Sequence, residues 1–186
     1  MAVMTRFPDL KTPEMAAFLL GKVLCRRTEN GILSGMITET EAYTEDDPDS
    51  HTFGGRKTTR NQAMFGTAGT IYIYLIYGIH HCLNFATGRE DEGCAVLIRA
   101  LQPLQGQSDM QYNRGPKVAI NRLTDGPGKL VQALGVPITW NGYSIFAPNV
   151  PLWLEDHGYH CNHRATARIG IRHGGDLLWR FVVDDA

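Results

Sequence analysis

The stretch Thr70–Thr87, TIYIYLIYGIHHCLNFAT, gives the most regular pattern in the chain. Aliphatic residues alternate with tyrosines before Tyr77–Gly78, and a second apolar run follows, which is typical of two antiparallel strands joined by a turn. Tyr72 and Tyr74 then share one face of the first strand, whereas Tyr77 stands at the turn and is free to project. Because a buried tyrosine needs a partner for its hydroxyl, this face suits a half-open platform for a planar ligand. Cross-strand aromatic packing is the alternative.

Other strand signals lie on either side of this hairpin. Lys22–Arg27 and Ile32–Glu41 flank an Asn-Gly turn and predict a second hairpin, while Cys94–Ile98 predicts a buried strand that ends in Arg99. In the last third of the chain, short strands alternate with turns. We predict these strands at Tyr143–Phe146, Leu152–Leu154, Ala167–Ile171 and Leu178–Val183.

Helix signals are few and short. Thr12-Pro13-Glu14 combines an N-cap hydroxyl, a proline at the first helical position and an acid in the first turn, so it predicts a helix that ends at Gly21. Thr59–Met64 is a shorter candidate. Gly126–Lys129 opens a third helix, whose free backbone N–H groups and lysine suit a phosphate. The polar segment from Pro103 to Asn113 is predicted to be a loop.

Length and composition indicate one domain. The 186 residues are 43% hydrophobic, which is enough to bury a core without disulfides or metals. The N-terminus lacks the apolar segment of a signal peptide, and no run of about 18 apolar residues is present, so we expect an intracellular protein without a membrane partner. The four cysteines are too scattered for a disulfide framework and are expected to be buried free thiols.

The net charge of −1 gives no overall attraction to nucleic acid. The charged residues are unevenly distributed along the chain. Six acids fall between Glu39 and Asp49, while basic residues gather in three groups. A basic face opposite an acidic loop and a dispersed, solvated charge are both compatible with this pattern. The basic groups are Arg56, Lys57 and Arg60; Arg114, Lys117, Arg122 and Lys129; and Arg164, Arg168 and Arg172.

The second arm of the predicted N-terminal hairpin carries a group of acids beside an aromatic residue. At a period of two, Glu39, Glu41 and Tyr43 fall on one face at the end of an apolar strand. Solvated acids on an edge strand are the alternative, because buried glutamates are rare. Arg99 favours the first interpretation, since an arginine that ends a buried strand must have a partner, and Glu41 would serve.

Other chemistries find less support in the sequence. His157, His160, Cys161 and His163 lie within seven residues, but their spacing matches no common zinc pattern, and a solvated loop is expected instead. The sequence contains neither a Gly-x-Ser-x-Gly elbow nor a dinucleotide fingerprint. Of the chemistries considered, hydrolysis assisted by a carboxylate therefore remains.

Several ordered motifs together resemble the alkyladenine (3-methyladenine) DNA glycosylase family, the single-domain type without a helix-hairpin-helix. The resemblance covers nearly the whole chain, although the loop between Tyr43 and His51 is short and unusually acidic for the family. The motifs are Glu39-Thr40-Glu41-Ala42-Tyr43, His51, Gly54-Gly55-Arg56-Lys57-Thr58, Arg60-Asn61, Met64-Phe65, YIYLIYGIHHCLN from Tyr72, VLIRAL from Val96, Gly126-Pro127-Gly128-Lys129 and Ala167-Arg168-Ile169-Gly170.

The resemblance implies an α+β fold: a single domain over residues 1–186 with a curved, mainly antiparallel sheet and short peripheral helices. It implies that Glu41 is a general base, that Arg99 helps to hold the attacking water, and that neither a metal nor a cofactor takes part. Tyr77 resembles a side chain that enters the duplex and fills the gap left by a flipped nucleotide. The base pocket would be formed by Tyr43, His51, Tyr74 and Asn84, the last of which crowds the exocyclic amino group of guanine.

The implied function is that of a monofunctional DNA glycosylase. Such an enzyme flips alkylated or deaminated purines, of the 3-methyladenine, hypoxanthine and ethenoadenine class, from double-stranded DNA and hydrolyses the N-glycosidic bond. A monomer is expected, located in the cytoplasm or nucleoid of a bacterium or in the nucleus of a eukaryote. A non-catalytic nucleic-acid-binding module and a metal-dependent hydrolase that uses the histidine cluster remain as alternatives. Contacts to the DNA backbone are expected from Arg56, Arg60, Lys129 and Arg168.

Overall fold

A computed structural model describes residues 1–184 of the chain. Within these residues, no helix has the length and apolar character needed to cross a membrane. The strands are β1 (Ala2–Val3), β2 (Val23–Thr28), β3 (Gly31–Tyr43), β4 (Ile71–Ile76), β5 (His80–Ala86), β6 (Ala95–Gln105), β7 (Leu152–Asp156), β8 (His163–Thr166) and β9 (Arg180–Val183). The helices are α1 (Thr12–Phe18), α2 (Gln107–Arg114) and α3 (Pro127–Leu134), with short 3₁₀ segments at Phe53–Gly55, Gln62–Phe65, Ile120–Arg122 and Ile138–Trp140.

All of these strands belong to one sheet. Its order is β1-β7-β2-β3-β6-β5-β4, with β9 added to β3 and β8 added to β9. The pairings of the described strands are antiparallel throughout. The path has free edges at β1 and β4, so the sheet is open and not curled into a barrel. The α+β class with a mainly antiparallel sheet and short helices is thereby confirmed.

β3 is the strand around which the sheet is arranged. One edge pairs with β6, whereas the other pairs first with β2 and then, near its end, with β9. Three irregularities interrupt the β3–β6 ladder: Thr38 is an extra residue on β3, and Arg99 and Leu104 are extra residues on β6. Bulges of this kind turn a side chain away from the regular alternation and are frequent next to active sites. The register of the sheet thus sets the direction in which the Arg99 side chain points.

The hydrophobic core lies on one face of the sheet. Ile71 and Ile73 of β4, Phe85 of β5, and Val96 and Ile98 of β6 are each at most 2% exposed on this face. α1 packs on β3 and α3 on β5 and β6, which completes the layer. The same cluster of buried residues runs from Phe7 to Val183, so both ends of the described chain contribute to one core.

The helices predicted at Thr12 and at Gly126–Lys129 are both present, as α1 and α3, but the predicted N-cap of α1 is wrong. α1 begins at Thr12, but the Thr12 hydroxyl does not cap it and instead bonds to Thr87 Oγ1 at 3.0 Å. Glu14 accepts a hydrogen bond from the backbone N–H of Lys11 at 3.0 Å and so covers the first turn. α3 ends before Gly135, whose φ of 63° is the left-handed conformation that closes many helices.

The segment from Pro103 to Asn113 is not the predicted loop. β6 continues to Gln105, Gly106 turns the chain with a φ of 76°, and α2 follows. A side chain at Gly106 would overlap that of Leu33, so this turn requires glycine. The sequence pattern missed α2 because the helix is polar over most of its length and buries Met110 alone.

Three further predictions of secondary structure need correction. Tyr143–Phe146 forms a single bridge, between Ser144 and Thr70, and not a strand. Ala167–Ile171 is irregular, because the strand of this region, β8, forms earlier in the chain. Thr59–Met64 contains a 3₁₀ segment instead of an α-helix. The two hairpins and the strands near Leu152 and Val183 are confirmed.

Ile98→Ala is expected to lower the free energy of unfolding by about 2–5 kcal/mol, because Ile98 is fully buried and its truncation leaves a cavity. Leu104→Ala is the matched control, since Leu104 lies on the same strand but is 42% exposed. Urea unfolding followed by tryptophan fluorescence measures both variants. Equal losses in the two variants would contradict the assignment of the core face.

Candidate active site

A pocket of about 500 Å³ opens on the face of the sheet opposite the core. Tyr72 and Tyr74 line it, as the alternation along β4 predicts. The N-terminal end of α3, at Gly126–Lys129, and the segment Ile169–Ile171 form walls on the other sides. The volume and the mixture of aromatic and polar side chains suit a single small, flat ligand.

A row of residues crosses four neighbouring strands beneath the pocket, and all of them except Glu41 line it. Tyr72 on β4 lies opposite Asn84 on β5, Asn84 lies opposite Leu97 on β6, and Leu97 lies opposite Glu41 on β3. Hydrogen bonds of the sheet therefore fix the spacing between Glu41 and Asn84. A site built on strands holds its geometry better than one built on loops.

Glu41 is completely buried and accepts three hydrogen bonds. Its Oε2 atom accepts from the Tyr43 hydroxyl at 2.8 Å and from Arg99 Nη1 at 3.1 Å, and its Oε1 atom accepts from the backbone N–H of Ile169 at 2.8 Å. Glu41 lies behind the pocket wall, because the three groups that donate to it belong to residues that line the pocket. A buried charge of this kind is stable only when it is paired and fully hydrogen-bonded.

Arg99 forms a second ion pair, with Glu39, in addition to its pair with Glu41. Its Nε atom donates to Glu39 Oε1 at 2.7 Å, and the same oxygen accepts from Arg180 Nε of β9 at 2.6 Å. Burial alone would lower the pKa of Arg99, but the charges of Glu41 and Glu39 outweigh this and raise it. The predicted pairing of Arg99 with Glu41 is confirmed, and Glu39 is part of the same network.

The side walls of the pocket are aromatic. His51 Nδ1 lies 2.9 Å from the Tyr72 hydroxyl, and the His51 ring meets Tyr74 edge to face with centroids 4.6 Å apart. Burial, assisted by the nearby charge of Arg60, lowers the pKa of His51 and favours the neutral ring. Burial also raises the pKa of Tyr72 to about 12 and raises that of Tyr74, so these hydroxyls stay protonated.

Asn84 is rigidly held at the floor of the pocket. Its side chain is 4% exposed, and its Nδ2 atom donates to the backbone carbonyl of Tyr72 at 3.0 Å, with a longer contact to that of Cys82 at 3.5 Å. An amide fixed in this way keeps its position when a ligand enters. The structure therefore brings Asn84 into one pocket with Tyr43, His51 and Tyr74.

Tyr77 lies at the tip of the β4–β5 hairpin. It is 84% exposed and has a φ of 54°, which is uncommon for a bulky residue. Its neighbour Ile79 is 74% exposed, so the tip is apolar as well as prominent. Tyr77 and Gly78 both have a positive φ, which is the geometry of a tight hairpin turn, and this turn directs the Tyr77 side chain into solvent.

The four cations expected at the DNA backbone occupy different environments. Arg56 and Arg60 are exposed, and Arg60 lines the pocket rim. Lys129 is half-buried at the start of α3 and pairs with Asp125 at 2.8 Å. Arg168 is a correction, because its side chain is fully buried in an ion pair with Asp47 and cannot reach a phosphate in this arrangement.

Some residues of the site were not found from the sequence. Cys82 and Met64 line the pocket, as does the backbone at Ile169, which donates to Glu41. Tyr72 does not belong to this group, because the alternation along β4 identified it together with Tyr74. The backbone N–H of Ile169 leaves no signal in the residue types, because any residue but proline supplies it.

The histidine cluster near the C-terminus does not come together as a metal site. His157 Nε2 bonds to Glu155 Oε2 at 2.7 Å, while His163 Nδ1 contacts the backbone carbonyl of Cys161 at 3.4 Å. Among residues 1–184, no group of three or more histidine, cysteine or acidic side chains is arranged to hold a metal ion.

The pocket and the carboxylate behind its wall define the site of an enzyme that acts on a flat ring. The chain matches the model of one family, described as methylpurine-DNA glycosylase (MPG), over residues 6–186. It therefore belongs to the methylpurine-DNA glycosylase family and is a DNA N-glycosylase, as the motifs in its sequence indicated.

Similar proteins occur in different organisms. The chain is 40% identical over 179 residues to a predicted 3-methyladenine DNA glycosylase of Francisella tularensis subsp. tularensis, which covers 95% of this chain and 92% of that protein. It is 42% identical over 166 residues to a predicted DNA-3-methyladenine glycosylase of Encephalitozoon cuniculi, with 88% and 79% covered. A predicted 3-methyladenine DNA glycosylase of Clostridium tetani is 38% identical over 197 residues, with 100% and 97% covered.

Proposed function

We propose that this protein removes 3-methyladenine, hypoxanthine and 1,N6-ethenoadenine from double-stranded DNA by hydrolysis of the N-glycosidic bond, with Glu41 as the general base. The observation that carries the proposal is the environment of Glu41. It is a fully buried carboxylate, paired with Arg99, directly behind the wall of an aromatic pocket.

Counting acceptor sites identifies the oxygen that would take the proton. A carboxylate has about four lone-pair sites, two on each oxygen. Oε2 accepts from Tyr43 and Arg99, whereas Oε1 accepts from Ile169 alone. The free site is therefore on Oε1, and a water that enters between Glu41 and the pocket would bind there.

The reaction then needs one water and one acceptor for its proton. The water oxygen forms a bond to C1′, the C1′–N bond breaks, and its electron pair leaves with the base while Glu41 takes the proton from the water. The negative charge of Glu41 also opposes the positive charge that develops on the sugar. Since water is the nucleophile, no imine forms with a lysine, and cleavage of the DNA strand is not expected.

The aromatic walls account for the choice of alkylated bases. A base such as 3-methyladenine carries a positive charge, and a cation is attracted to the face of an electron-rich ring. Tyr43 and Tyr74 supply such rings, and both hydroxyls stay protonated because burial raises their pKa values. Neutral bases such as hypoxanthine are flat and gain stacking without this attraction.

The base reaches the pocket only after its nucleotide leaves the duplex, because C1′ is shielded in the stack. Extrusion costs a few kcal/mol, and a side chain that fills the gap offsets part of that cost. Tyr77 is suited to this task, since it is 84% exposed at the tip of a hairpin and also lines the edge of the pocket.

Glu41→Gln is expected to slow base release by about 10²–10⁴-fold, because an amide cannot take the proton from water. Binding to damaged duplex should stay near normal, since the buried Glu41 does not touch the DNA backbone. Single-turnover release of hypoxanthine and a gel-shift titration measure the two properties. Glu45→Gln, outside the pocket and with the same change of charge, is the control. Release by Glu41→Gln at the native rate would mean that another group is the general base, whereas a native protein that releases no base would support a binding module.

Asn84→Ser is expected to raise the excision of guanine-type lesions relative to hypoxanthine. The rigid amide of Asn84 crowds the position of a 2-amino group, and the smaller serine removes that obstacle. Competition between the two lesions in single-turnover assays gives the ratio, and thermal unfolding shows whether the variant is folded. A folded variant with an unchanged ratio would rule out the filter.

Tyr77→Ala is expected to lose about ten- to a hundred-fold in duplex binding or in flipping, because an inserted ring recovers stacking worth about 1–3 kcal/mol. Stability should be spared, since the side chain is 84% exposed. Fluorescence of 1,N6-ethenoadenine in a duplex reports unstacking before chemistry. Tyr112→Ala is the matched control, because Tyr112 is 86% exposed on α2. Normal flipping by Tyr77→Ala, or its unfolding, would contradict the role.

A further inference from the structure

Two carboxylates of the acidic loop, residues 44–50, bind the segment that follows β8. Asp47 and Arg168 form an ion pair in which both side chains are fully buried. Asp49 accepts hydrogen bonds from three consecutive backbone N–H groups, those of Arg172 at 2.8 Å, His173 at 2.9 Å and Gly174 at 2.5 Å. The acids of this loop therefore hold another part of the chain, which we call the C-terminal loop, residues 167–174.

The C-terminal loop reaches the catalytic centre between these two anchors. The backbone N–H of Ile169 donates to Glu41 Oε1 at 2.8 Å, and residues 169–171 line the pocket. Arg168, at the first anchor, also donates to the backbone carbonyl of Ala42 at 3.0 Å and places its guanidinium carbon 4.6 Å from the centre of the Tyr43 ring. One anchor thus contacts the two residues that follow Glu41 in sequence.

Gly174 shows how closely the two loops are packed. A Cβ atom at this position would lie 2.5 Å from Arg168 Nη2, 3.1 Å from Asp47 Oδ1 and 3.2 Å from Asp49 Oδ2. A side chain at residue 174 must therefore displace the ends of the Arg168, Asp47 or Asp49 side chains, which are the groups that join the two loops. The Asp47–Arg168 pair and the contacts of Asp49 meet at this glycine and form one connected clamp.

We propose that Asp47 and Asp49 are positioning residues, which clamp the C-terminal loop so that the Ile169 amide and the Tyr43 hydroxyl hold Glu41 in its reactive orientation. The proposal rests on the role of Glu41 put forward above and deepens it. With Oε2 occupied by Tyr43 and Arg99, the amide on Oε1 fixes the rotation of the carboxylate and the direction of its free acceptor site.

Loss of the clamp should therefore act on the chemical step. Misplacement of a catalytic group by about 1 Å costs on the order of 10²-fold in rate. We expect Asp49→Ala to lower single-turnover base release by about 10- to 100-fold. Asp49→Asn keeps one acceptor oxygen for the amides and should lose less than Asp49→Ala.

A second explanation of Asp49 must be separated from the clamp, because Asp49 also lines the pocket and could repel DNA through its charge. Asn and Ala remove this charge equally, so repulsion predicts the same gain in DNA affinity for both and no change in the chemical step. Asp46→Ala is the matched control, since Asp46 carries the same charge in the same loop but is exposed. It should keep the native rate.

The experiment uses the full chain and a duplex that contains one hypoxanthine. Single-turnover release, DNA affinity and hydrogen exchange of the amides of residues 167–174 are measured for the native protein and each variant. We expect base release to be fastest in the native protein, slower in Asp49→Asn and slowest in Asp49→Ala. We also expect the amides of the C-terminal loop to exchange hydrogen faster in these variants. Gly174→Ala, which removes no charge and no hydrogen-bonding group, should show the same two effects and decides the matter if Asp49→Ala fails to fold.

The outcomes separate this inference from the proposed function. Glu41→Gln is measured alongside, and native release by that variant would overturn the role of Glu41. If Glu41→Gln is inactive while the Asp49 and Gly174 variants exchange faster and still release base at the native rate, only the clamp is overturned. The clamp is also overturned if Asp49→Asn and Asp49→Ala change DNA affinity equally and leave the rate of base release unchanged.

Discussion

Arg99 is shared between two carboxylates of one strand, and the site depends on this shared charge. Glu41 is fully buried and could not remain charged without a partner, since an unpaired charge in a protein interior is strongly destabilising. Arg99 supplies that partner because the irregular β3–β6 register adds it as an extra residue on β6. Glu39 holds the other side of Arg99 and is held in turn by Arg180 of β9. The short strand β9 thus supports the Glu41 carboxylate through three ionic contacts.

The balance of charge in this network also bears on the range of substrates. The charges of two glutamates and two arginines cancel in this network, so the network itself exerts little net attraction on a cation in the pocket. Selection then falls to the aromatic walls and the rigid floor, which recognise shape and stacking. In the function proposed above, such a pocket would accept flat neutral bases as well as cationic ones, whereas a pocket with an unbalanced carboxylate would favour cations alone. The walls and the network therefore have separate tasks.

The sequence predicted the features of the fold that depend on side-chain alternation. The tyrosine face of β4, the two hairpins and the pairing of Arg99 with Glu41 were found because strand periodicity places those side chains. α2 was missed because a helix that buries only Met110 shows no apolar stripe. Arg168 was assigned to the surface because its charge in a sequence does not reveal that Asp47, far away in the chain, pairs with it inside the protein. Contacts between distant loops, and those made by backbone groups, leave no local pattern.

The acidic loop shows why net charge says little about how this protein meets DNA. Of the six acids between Glu39 and Asp49, Glu39, Glu41 and Asp47 are neutralised by arginines, and Asp49 is turned toward backbone N–H groups. Glu45 accepts a hydrogen bond from the backbone N–H of Gly93, which leaves Asp46 as the exposed acid of the group. Glu39, Glu41 and Asp47 thus stabilise the site from within and add little repulsion outside it, whereas Asp49 lines the pocket and keeps its charge there. We propose that exposed Arg56 and Arg60, together with the apolar hairpin tip, attract and hold a duplex although the whole chain carries a charge of −1.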